Sequence, residues 1–386
     1  MLNKKGEREL AYIVKVDAVE PIEGYDKIAF ATVGGWHCVV GADMKAGDLA
    51  IYIEIDSLVP SNDERFAFCE KYKYRIRTQR YCKGTRISQG LLVPLTDFPE
   101  FKDCKVGTFV TDKLHITYYE AEDRQRKGKE HSKQEYKPFF NKIKRHFPFK
   151  QLLRIELGRK ILFAIFGIKK KKKKWPEFMP HSDEERVQNM TWILKNKAPF
   201  IVSEKIDGCS SGFGICKKPF GGYQYYVCSR NVVLDSPNSK AYYDFNVWYE
   251  MYEKYHIKDF LTDYIKKIGA TWVYLQGESF GAGIQKRDYS LKDHDFRAFA
   301  LNDSTRKCRC SYVEMAEILD RYDIPTVPIL NKEYILPDSV EELLQFAQDA
   351  SKIDGKPREG IVLQKAEDPS FSFKAVDPEF LMKYHG

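Results

Sequence analysis

The sequence lacks the patterns that mark several large classes of protein. Its nine cysteines are scattered without the short spacings of a disulfide framework, and the closest pair, Cys308 and Cys310, has no histidine cluster or second pair at zinc-ligand spacing. The opening residues have no apolar core, so no secretory signal is expected. No GxxxxGK(S/T) loop is present, which excludes a P-loop ATPase. We therefore expect reduced thiols, in the cytoplasm or the nucleus.

An apolar run long enough to cross a bilayer is also missing. The strongest candidate, residues 161–168, is far short of the roughly 20 residues that a membrane helix needs. It lies within residues 121–180, which hold nineteen Lys and Arg against six Asp and Glu, although the whole chain has a net charge of only +8. This basic block favours a polyanion such as nucleic acid, and a solvated linker explains it about equally well. A membrane partner is not expected.

Three regions follow from the spacing of the strand and helix patterns. Residues 1–118 contain short β-rich runs separated by Gly, Pro and Asp turns, which predict a small antiparallel β-barrel. Residues 119–180 are predicted to be a basic, partly helical linker or insertion, with a helix over 148–168. In residues 181–386 strands alternate with helices, which predicts an α+β domain with mainly antiparallel sheets.

Three serines in the last region are each followed three residues later by glutamate, the pattern of a helix start. They are Ser182, Ser311 and Ser339. The first of these predicts a helix whose apolar stripe runs from Val187 to Leu194. Two further helices are predicted near residues 241–255 and 257–268.

Charged residues stand at the ends of several apolar strands in this region. Charges are costly to bury in such segments unless they are paired, so their recurrence predicts one convergent site rather than separate exposed positions. The residues are Lys205, Asp207, Arg230, Glu278, Glu359 and Lys374.

Cations together with carboxylates, without a Cys or His nucleophile, suit chemistry on phosphates with a divalent metal. A lysine can itself be the nucleophile when it is neutral, but an unperturbed pKa of ~10.4 leaves well under about one per cent neutral at pH 7. We therefore expect Arg230, Lys374 and a bound metal to lower the pKa of Lys205.

The ordered series of motifs resembles the covalent nucleotidyltransferases, which include DNA ligases, RNA ligases and mRNA capping enzymes. EKIDG (204–208) is similar to their Lys-x-Asp-Gly motif, and it is followed in order by SRN (229–231), QGESFGAGIQ (276–285), FRAFAL (296–301), EGIVLQ (359–364) and SFKAV (372–376). GESFGAGIQ and DEERVQN resemble RNA ligases that join 3′-OH and 5′-phosphate ends. KAGDLAIYIEIDSLVP resembles the N-terminal OB-like domain of the Naegleria-type RNA ligases.

This resemblance implies an OB-like barrel followed by a ligase-type domain, and an ATP-dependent RNA ligase that acts in RNA repair. The implied cofactors are ATP and Mg²⁺ or Mn²⁺, and the implied partner is nicked or broken RNA. Lys205 is implied to attack the α-phosphate of ATP and form lysyl-AMP. The AMP then passes to an RNA 5′-phosphate, and a 3′-OH closes the strand. We expect a monomer without a stable protein partner.

The resemblance also implies a role for each residue around the lysine. Arg230 and Glu278 are expected to hold the ribose and phosphates, and Lys374 the α-phosphate. Glu359 and Asp207 are expected to organise the metal, through water.

Other residues are implied to recognise the base and the RNA. Glu204 is expected to contact the adenine or to position the motif, and Phe299, rather than Phe296, to stack on the purine. Arg186 and Asn189 resemble positions near the nucleotide or the RNA end.

Two positions depart from the family pattern. Ser372 stands where related sequences often have the first lysine of Lys-x-Lys, so one phosphate contact is absent unless Lys365 supplies it. Ala300 follows the stacking aromatic where many ligases have aspartate.

Three alternatives remain open at this point. A DNA ligase or a capping guanylyltransferase has the same lysine motif, but both usually carry the OB domain after the lysine domain. An RNA-binding protein without catalytic activity would use the barrel and the basic segment, and it leaves the charged strand ends unexplained.

Overall fold

The structure is a computed structural model, and it describes residues 8–84, 86–119, 174–181, 183–239, 243 and 245–385. Most of the basic segment and the helix predicted over residues 148–168 lie outside the described residues. Within the described part of the chain, no helix is long and apolar enough to cross a membrane.

The N-terminal part is a barrel-like arrangement of short antiparallel strands. Their pairing orders are β1-β5-β9, β2-β3-β4, β7-β8 and β10-β6. The strands are β1 Ala11–Lys15, β2 Ala18–Ile22, β3 Tyr25–Val33, β4 Trp36–Gly41, β5 Leu49–Ile53, β6 Ser57–Leu58, β7 Thr78–Tyr81, β8 Arg86–Gln89, β9 Leu91–Pro94 and β10 Thr117–Tyr118.

Strands β1 and β5 are buried on both faces. Ile13 and Ile51 belong to one apolar cluster, whereas their neighbours Tyr12 and Tyr52 belong to another. Successive residues of a strand point to opposite faces, so this alternation shows that two cores flank the pair. A long 3₁₀ helix, Glu64–Tyr72, covers the first of these cores with Phe66.

The C-terminal part contains two five-stranded sheets, in the orders β11-β20-β19-β12-β18 and β15-β14-β13-β16-β17. All strand pairs are antiparallel except β11 with β20. The strands are β11 Glu185–Arg186, β12 Phe200–Lys205, β13 Cys209–Lys217, β14 Tyr223–Cys228, β15 Val233–Leu234, β16 Trp272–Gly281, β17 His294–Asp303, β18 Ile329–Tyr334, β19 Gly360–Lys365 and β20 Ser372–Val376. The short turn between β12 and β13 carries the chain from one sheet to the other. The predicted α+β class with mainly antiparallel sheets is confirmed.

Within the described residues of this part, four helices connect the strands. They are α1 Val247–Lys254, α2 Ile257–Lys267, α3 Tyr312–Asp320 and α4 Val340–Ala347. As the sequence predicts, the side chains of Ser311 and Ser339 accept hydrogen bonds from the backbone of the first turns of α3 and α4. The chain continues after β20 into a short helical turn, Pro378–Phe380, and a π-helical turn, Leu381–His385.

The helix predicted from Ser182 onward is wrong, and Ser182 itself lies outside the described residues. Glu185–Arg186 are instead extended, because they pair in parallel with β20. Two 3₁₀ turns, Val187–Asn189 and Thr191–Lys195, follow, and the backbone between them at Met190 is not helical. The predicted apolar stripe still packs inward, but from two short turns rather than from one helix.

Candidate active site

The two C-terminal sheets and the N-terminal barrel enclose a cavity of about 1350 Å³. The barrel side contributes Arg8, Asp56, Arg75, Tyr118 and Tyr119 to the lining. Nine residues that the sequence predicted for the site also line it: Arg186, Glu204, Lys205, Asp207, Arg230, Glu278, Phe299, Glu359 and Lys374.

Lys205 is the last residue of β12, and the strand pairing determines its neighbour. The antiparallel register with β19 sets Lys205 opposite Gly360, which brings Glu359 alongside. Nζ of Lys205 donates a hydrogen bond to Oε2 of Glu359 at 2.7 Å. A quarter of the Lys205 side chain, 25%, stays accessible, so a ligand in the cavity can reach the amine.

The turn that follows Lys205 is held by a loop beyond β16. The backbone N–H of Asp207 donates to the Tyr289 hydroxyl at 2.7 Å, and the side-chain amide of Gln285 donates to the carbonyl of Gly208 at 3.2 Å. A Cβ atom at Gly208 would lie 2.3 Å from the carbonyl oxygen of Ser279, so a side chain does not fit there. Gly208 therefore lets the turn pack directly on β16.

Carboxylates, rather than cations, dominate the surroundings of the Lys205 amine. Burial by itself lowers the pKa of Lys205, but Glu359 and Glu278 outweigh burial and raise the pKa above its usual value. Burial raises the pKa of Glu278 to about 8, against the opposing effect of Lys205. Arg230 and Lys374 by themselves therefore do not lower the pKa of Lys205 as expected, because both of these cations are paired with another carboxylate.

That carboxylate is Asp183, which the sequence analysis missed. Its Oδ1 accepts from Nζ of Lys374 at 2.8 Å, and its Oδ2 accepts from Arg8 at 3.3 Å and from Arg230 at 3.4 Å. Burial opposes ionisation of Asp183, but Lys374, Arg8 and Arg230 together hold its pKa well below the usual range. Asp183 lies in an irregular segment, so no strand or helix pattern pointed to it, although it is the first residue of the DEERVQN stretch that resembles RNA ligases.

The N-terminal barrel takes part in this cluster through Arg8 and Tyr118. The guanidinium groups of Arg8 and Arg230 lie over the Tyr118 ring, at 5.1 and 5.2 Å from its centre. Arg8 also donates to Oε2 of Glu54 at 3.4 Å. The site is therefore built from both parts of the chain.

Phe299 lines the cavity because β17 has a bulge. Gln276 pairs with Ala300 and Gly277 with Ala298, which leaves Phe299 as the extra residue between them. Phe296 lies before the bulge and is fully buried in the core. The structure therefore brings Phe299, and not Phe296, to the site.

Glu204 is buried beside the cavity and holds a neighbouring loop. Its carboxylate accepts hydrogen bonds from the hydroxyl of Ser351 and from the backbone N–H of Lys352 at 2.8 Å. These contacts suit the positioning role that the sequence analysis offered for Glu204, since both carboxylate oxygens already have protein donors.

Only one of the three residues proposed for RNA or phosphate contacts lines the cavity. Arg186 lines the cavity and is buried, and its Nε and Nη1 atoms have no hydrogen-bond partner among the described residues. Asn189 does not line the cavity. It accepts hydrogen bonds from Tyr12 at 2.9 Å and Trp36 at 2.6 Å, and it donates to Glu54 at 2.8 Å and Glu185 at 2.6 Å. It therefore joins the two parts of the chain. Lys365 is also outside the lining.

The carboxylates around Lys205 fit a divalent metal that is held partly by a phosphate ligand. Oδ2 of Asp207 is buried without a hydrogen-bond partner among the described residues, while its Oδ1 contacts Nε2 of His385 at 3.1 Å. No group of three or more His, Cys, Asp or Glu side chains in the described part of the chain forms a ready-made metal cage. Mg²⁺ is typically bound by one or two carboxylates together with water and substrate phosphates, which this donor set allows.

The fold is the one expected of a nucleotidyltransferase, and Lys205 lies at a strand end between two mainly antiparallel sheets. The model of the RNA ligase family matches residues 198–384, and an OB-fold domain model matches residues 10–95. The C-terminal part of the chain is thus similar to the RNA ligase family, and a part similar to an OB-fold domain precedes it. No curated protein matches the chain in sequence.

Solved structures of Naegleria gruberi RNA ligase are similar over almost the whole chain. The structure with PPi has a TM-score of 0.74 and 25% identity, and covers 98% of this chain and 99% of that one. A lysine variant with ATP and Mn has a TM-score of 0.73 and 26% identity, with 97% and 98% covered. Another lysine variant with AMP and Mn has a TM-score of 0.74 and 26% identity, with 98% and 99% covered. The resemblance to Naegleria-type RNA ligases is confirmed.

Proposed function

We propose that this protein is an ATP-dependent RNA ligase that seals 3′-OH and 5′-phosphate ends through a covalent lysyl-AMP and an RNA-adenylate. One observation carries the proposal: Lys205 reaches an open cavity in which carboxylates lie on one side and a cluster of cations on the other. Such a cavity suits an amine that attacks a phosphate, because the cations attract the phosphates and the carboxylates attract the accompanying metal.

Lys205 must first lose a proton, because only the neutral amine is a nucleophile. Its ammonium donates to Glu359, so this carboxylate is the nearest acceptor for the proton that the amine must lose. The neutral amine forms a bond to the α-phosphorus, the bond to the β-phosphate oxygen breaks, and pyrophosphate leaves with the electron pair. The phosphoramidate nitrogen then releases its second proton to water.

The remaining residues bind and orient the nucleotide. Lys374 and Arg230 face the cavity as cations for the phosphates, and Phe299 offers a ring for the purine. Glu204 holds the loop at Ser351 and so keeps the end of β12 in place. Arg186, with two unpartnered nitrogens, is available to a further phosphate.

Asp207 and Glu359 are the residues that would hold Mg²⁺ or Mn²⁺, whereas Glu278 with Arg230 would hold the ribose and phosphates. When bound, the metal supplies positive charge that neutralises the phosphates and favours the neutral form of Lys205. Variants of the Naegleria gruberi ligase have been solved with changes at a lysine, an aspartate two positions later, two glutamates and a further lysine. Lys205, Asp207, Glu278, Glu359 and Lys374 follow the same order of residue types, which supports these roles.

In the second and third steps the AMP moves to the RNA 5′-phosphate, and the 3′-OH displaces it. We place this reaction in RNA repair, in a reducing compartment such as the cytoplasm or nucleus, because all nine cysteines are free thiols. A monomer remains our expectation.

Two comparisons of substrates test the proposal. The protein is incubated with labelled ATP or labelled GTP, and then with nicked duplexes that have RNA or DNA at the 3′-OH strand. We expect labelling by ATP and sealing of the RNA 3′-OH nick. Labelling by GTP alone would indicate a capping enzyme, and preference for the all-DNA nick would indicate a DNA ligase. Retained RNA affinity without any labelling would contradict an enzymatic role.

A further inference from the structure

A second cationic group lies in the cavity, and neither the motifs nor the proposed roles account for it. Arg309 lies in the loop between β17 and α3, with Lys307 and Cys308 just before it, and all three line the cavity. The side chain of Arg309 is 18% exposed, and that of its partner Glu184 is 26% exposed. No pattern in the sequence singles out this arginine, because its loop has neither strand nor helix periodicity.

The loop that carries Arg309 is fixed at both ends. Before it, Arg306 donates to the fully buried Asp303 at 2.9 Å. After it, the buried side chain of Gln364 donates to the carbonyl of Cys310 at 3.3 Å and accepts from the backbone N–H of Tyr312 at 2.9 Å. A guanidinium held in this way loses little conformational freedom when it binds a ligand.

The guanidinium is directed to β20 and is only loosely paired. It donates to the hydroxyl of Ser372, its Nε donates to the carbonyl of Pro369 at 3.4 Å, and its two contacts with Oε1 of Glu184 are also 3.4 Å long. Charge-assisted hydrogen bonds are normally about 2.7–2.9 Å, so an anion in the cavity can offer Arg309 better geometry than Glu184 does. Burial lowers the pKa of Arg309, but Glu184 outweighs burial and the pKa is raised, which keeps the group charged.

The position of Arg309 relative to Lys374 indicates which part of the nucleotide it meets. Ser372 and Lys374 are two residues apart on β20, so their side chains share a face and lie roughly 7 Å apart along the strand. Val362 pairs with both Ser203 and Lys374, and Gln364 pairs with both Ile201 and Ser372, so Ser372 lies farther from Lys205 than Lys374 does. A triphosphate that runs from Lys205 past Lys374 would therefore reach Arg309 next. The exposed Lys307 adds a second cation at the same edge of the cavity.

We propose that Arg309 binds the β- and γ-phosphates of ATP and holds the pyrophosphate that is released when Lys205 becomes adenylylated. This proposal rests on the proposed function of the site. It assigns to Arg309 a role only in the first step and its reversal, since no pyrophosphate group is present when AMP is transferred to RNA or when the strand is closed.

The test compares Arg309→Ala and Arg309→Lys with the wild-type protein, with Arg321→Ala as the matched control. Arg321 is an exposed arginine at the end of α3 and lies outside the cavity lining. For Arg309→Ala we expect the KM for ATP in lysyl-AMP formation, and the KM for inorganic pyrophosphate in the reverse reaction, to rise roughly 10- to 100-fold, as for loss of a charge-assisted contact. Arg309→Lys keeps the positive charge but loses the paired N–H donors of the guanidinium. We therefore expect it to raise the two KM values less than Arg309→Ala does.

Sealing of RNA that is already adenylylated separates this role from others. We expect Arg309→Ala to seal it at the wild-type rate. The double variant Arg309→Ala with Ser372→Lys returns an ammonium to the same place and recovers part of the pyrophosphate affinity. The proposal would be overturned if Arg309→Ala lost as much activity in sealing pre-adenylylated RNA as in forming lysyl-AMP. An unchanged KM for pyrophosphate would also overturn it. If the wild-type protein forms no lysyl-AMP at all, the proposed function fails instead.

Discussion

The carboxylate of Asp183 lies 2.8 Å from the ammonium of Lys374 and also contacts Arg8 and Arg230. Burial lowers the pKa of Lys374 to about 8, and Asp183 keeps it from falling further. Lys374 is charged below this pKa and neutral above it, so its attraction for a phosphate is lost as the pH rises.

A first prediction follows for ATP binding, measured in a Lys205→Met background that cannot form the covalent bond. We expect the affinity to fall as the pH rises through about 8. Asp183→Asn moves this fall to lower pH, whereas Lys374→Arg removes the contribution of Lys374, because arginine stays charged, and leaves only the contribution of Glu278. Identical pH profiles for the three proteins would show that Lys374 does not bind the phosphates.

A second prediction concerns Glu359, which raises the pKa of Lys205. Glu359→Gln lowers that pKa, so the amine should react faster with a small acylating reagent when no nucleotide is present. The same variant should form lysyl-AMP roughly 100-fold more slowly, because it loses a metal-binding carboxylate and a proton acceptor. Mass spectrometry measures the rate at which the reagent modifies Lys205, and labelled ATP measures the rate of lysyl-AMP formation. A change of both rates in the same direction would contradict the two roles.

A third prediction separates Phe299 from Phe296. Phe299→Ala should raise the KM for ATP roughly 10-fold, as for loss of a stacked base, with little loss of stability. Phe296→Ala should lower the free energy of unfolding by about 3–5 kcal/mol, because this ring is fully buried in the core. Steady-state labelling and denaturant unfolding measure the two effects. A large effect of Phe299→Ala on stability alone would assign this ring to the core.

A fourth prediction addresses the run from Lys169 to Lys174 in the basic segment. Replacing these lysines by serine should weaken RNA binding and reduce its dependence on salt, because fewer counterions are released. Lys266→Ser with Lys267→Ser, at exposed positions of α2, is the control. Equal salt dependence in the variant and the wild type would show that the run does not contact RNA.

The sequence could predict the residues at strand ends, because a charge between apolar strand residues stands out locally. Lys205 ends β12, and Asp207 and Glu359 lie in the adjoining turns, whereas Glu278 and Lys374 lie within β16 and β20. All five line one cavity. The pKa of Lys205 could not be predicted in this way, since it depends on distances between separate strands.

Other parts of the site and fold depend on tertiary contacts that leave no local pattern. Asp183 and Arg309 reach the cavity from irregular segments, and Arg8 comes from the other domain. Phe299 faces the cavity because β17 has a bulge at this position. The alternation of apolar and polar residues in the sequence does not reveal such a bulge. The helix expected after Ser182 is replaced by strand pairing at Glu185–Arg186, where β20 offers hydrogen bonds that outweigh helix propensity.

The most direct test of the account is the location of the covalent nucleotide. The protein is incubated with labelled ATP and Mg²⁺ or Mn²⁺, the adduct is digested, and the modified peptide is identified by mass spectrometry. Our account predicts a single AMP on Lys205, released by pyrophosphate and absent from Lys205→Ala. An adduct on another residue, or an undiminished adduct in Lys205→Ala, would contradict it.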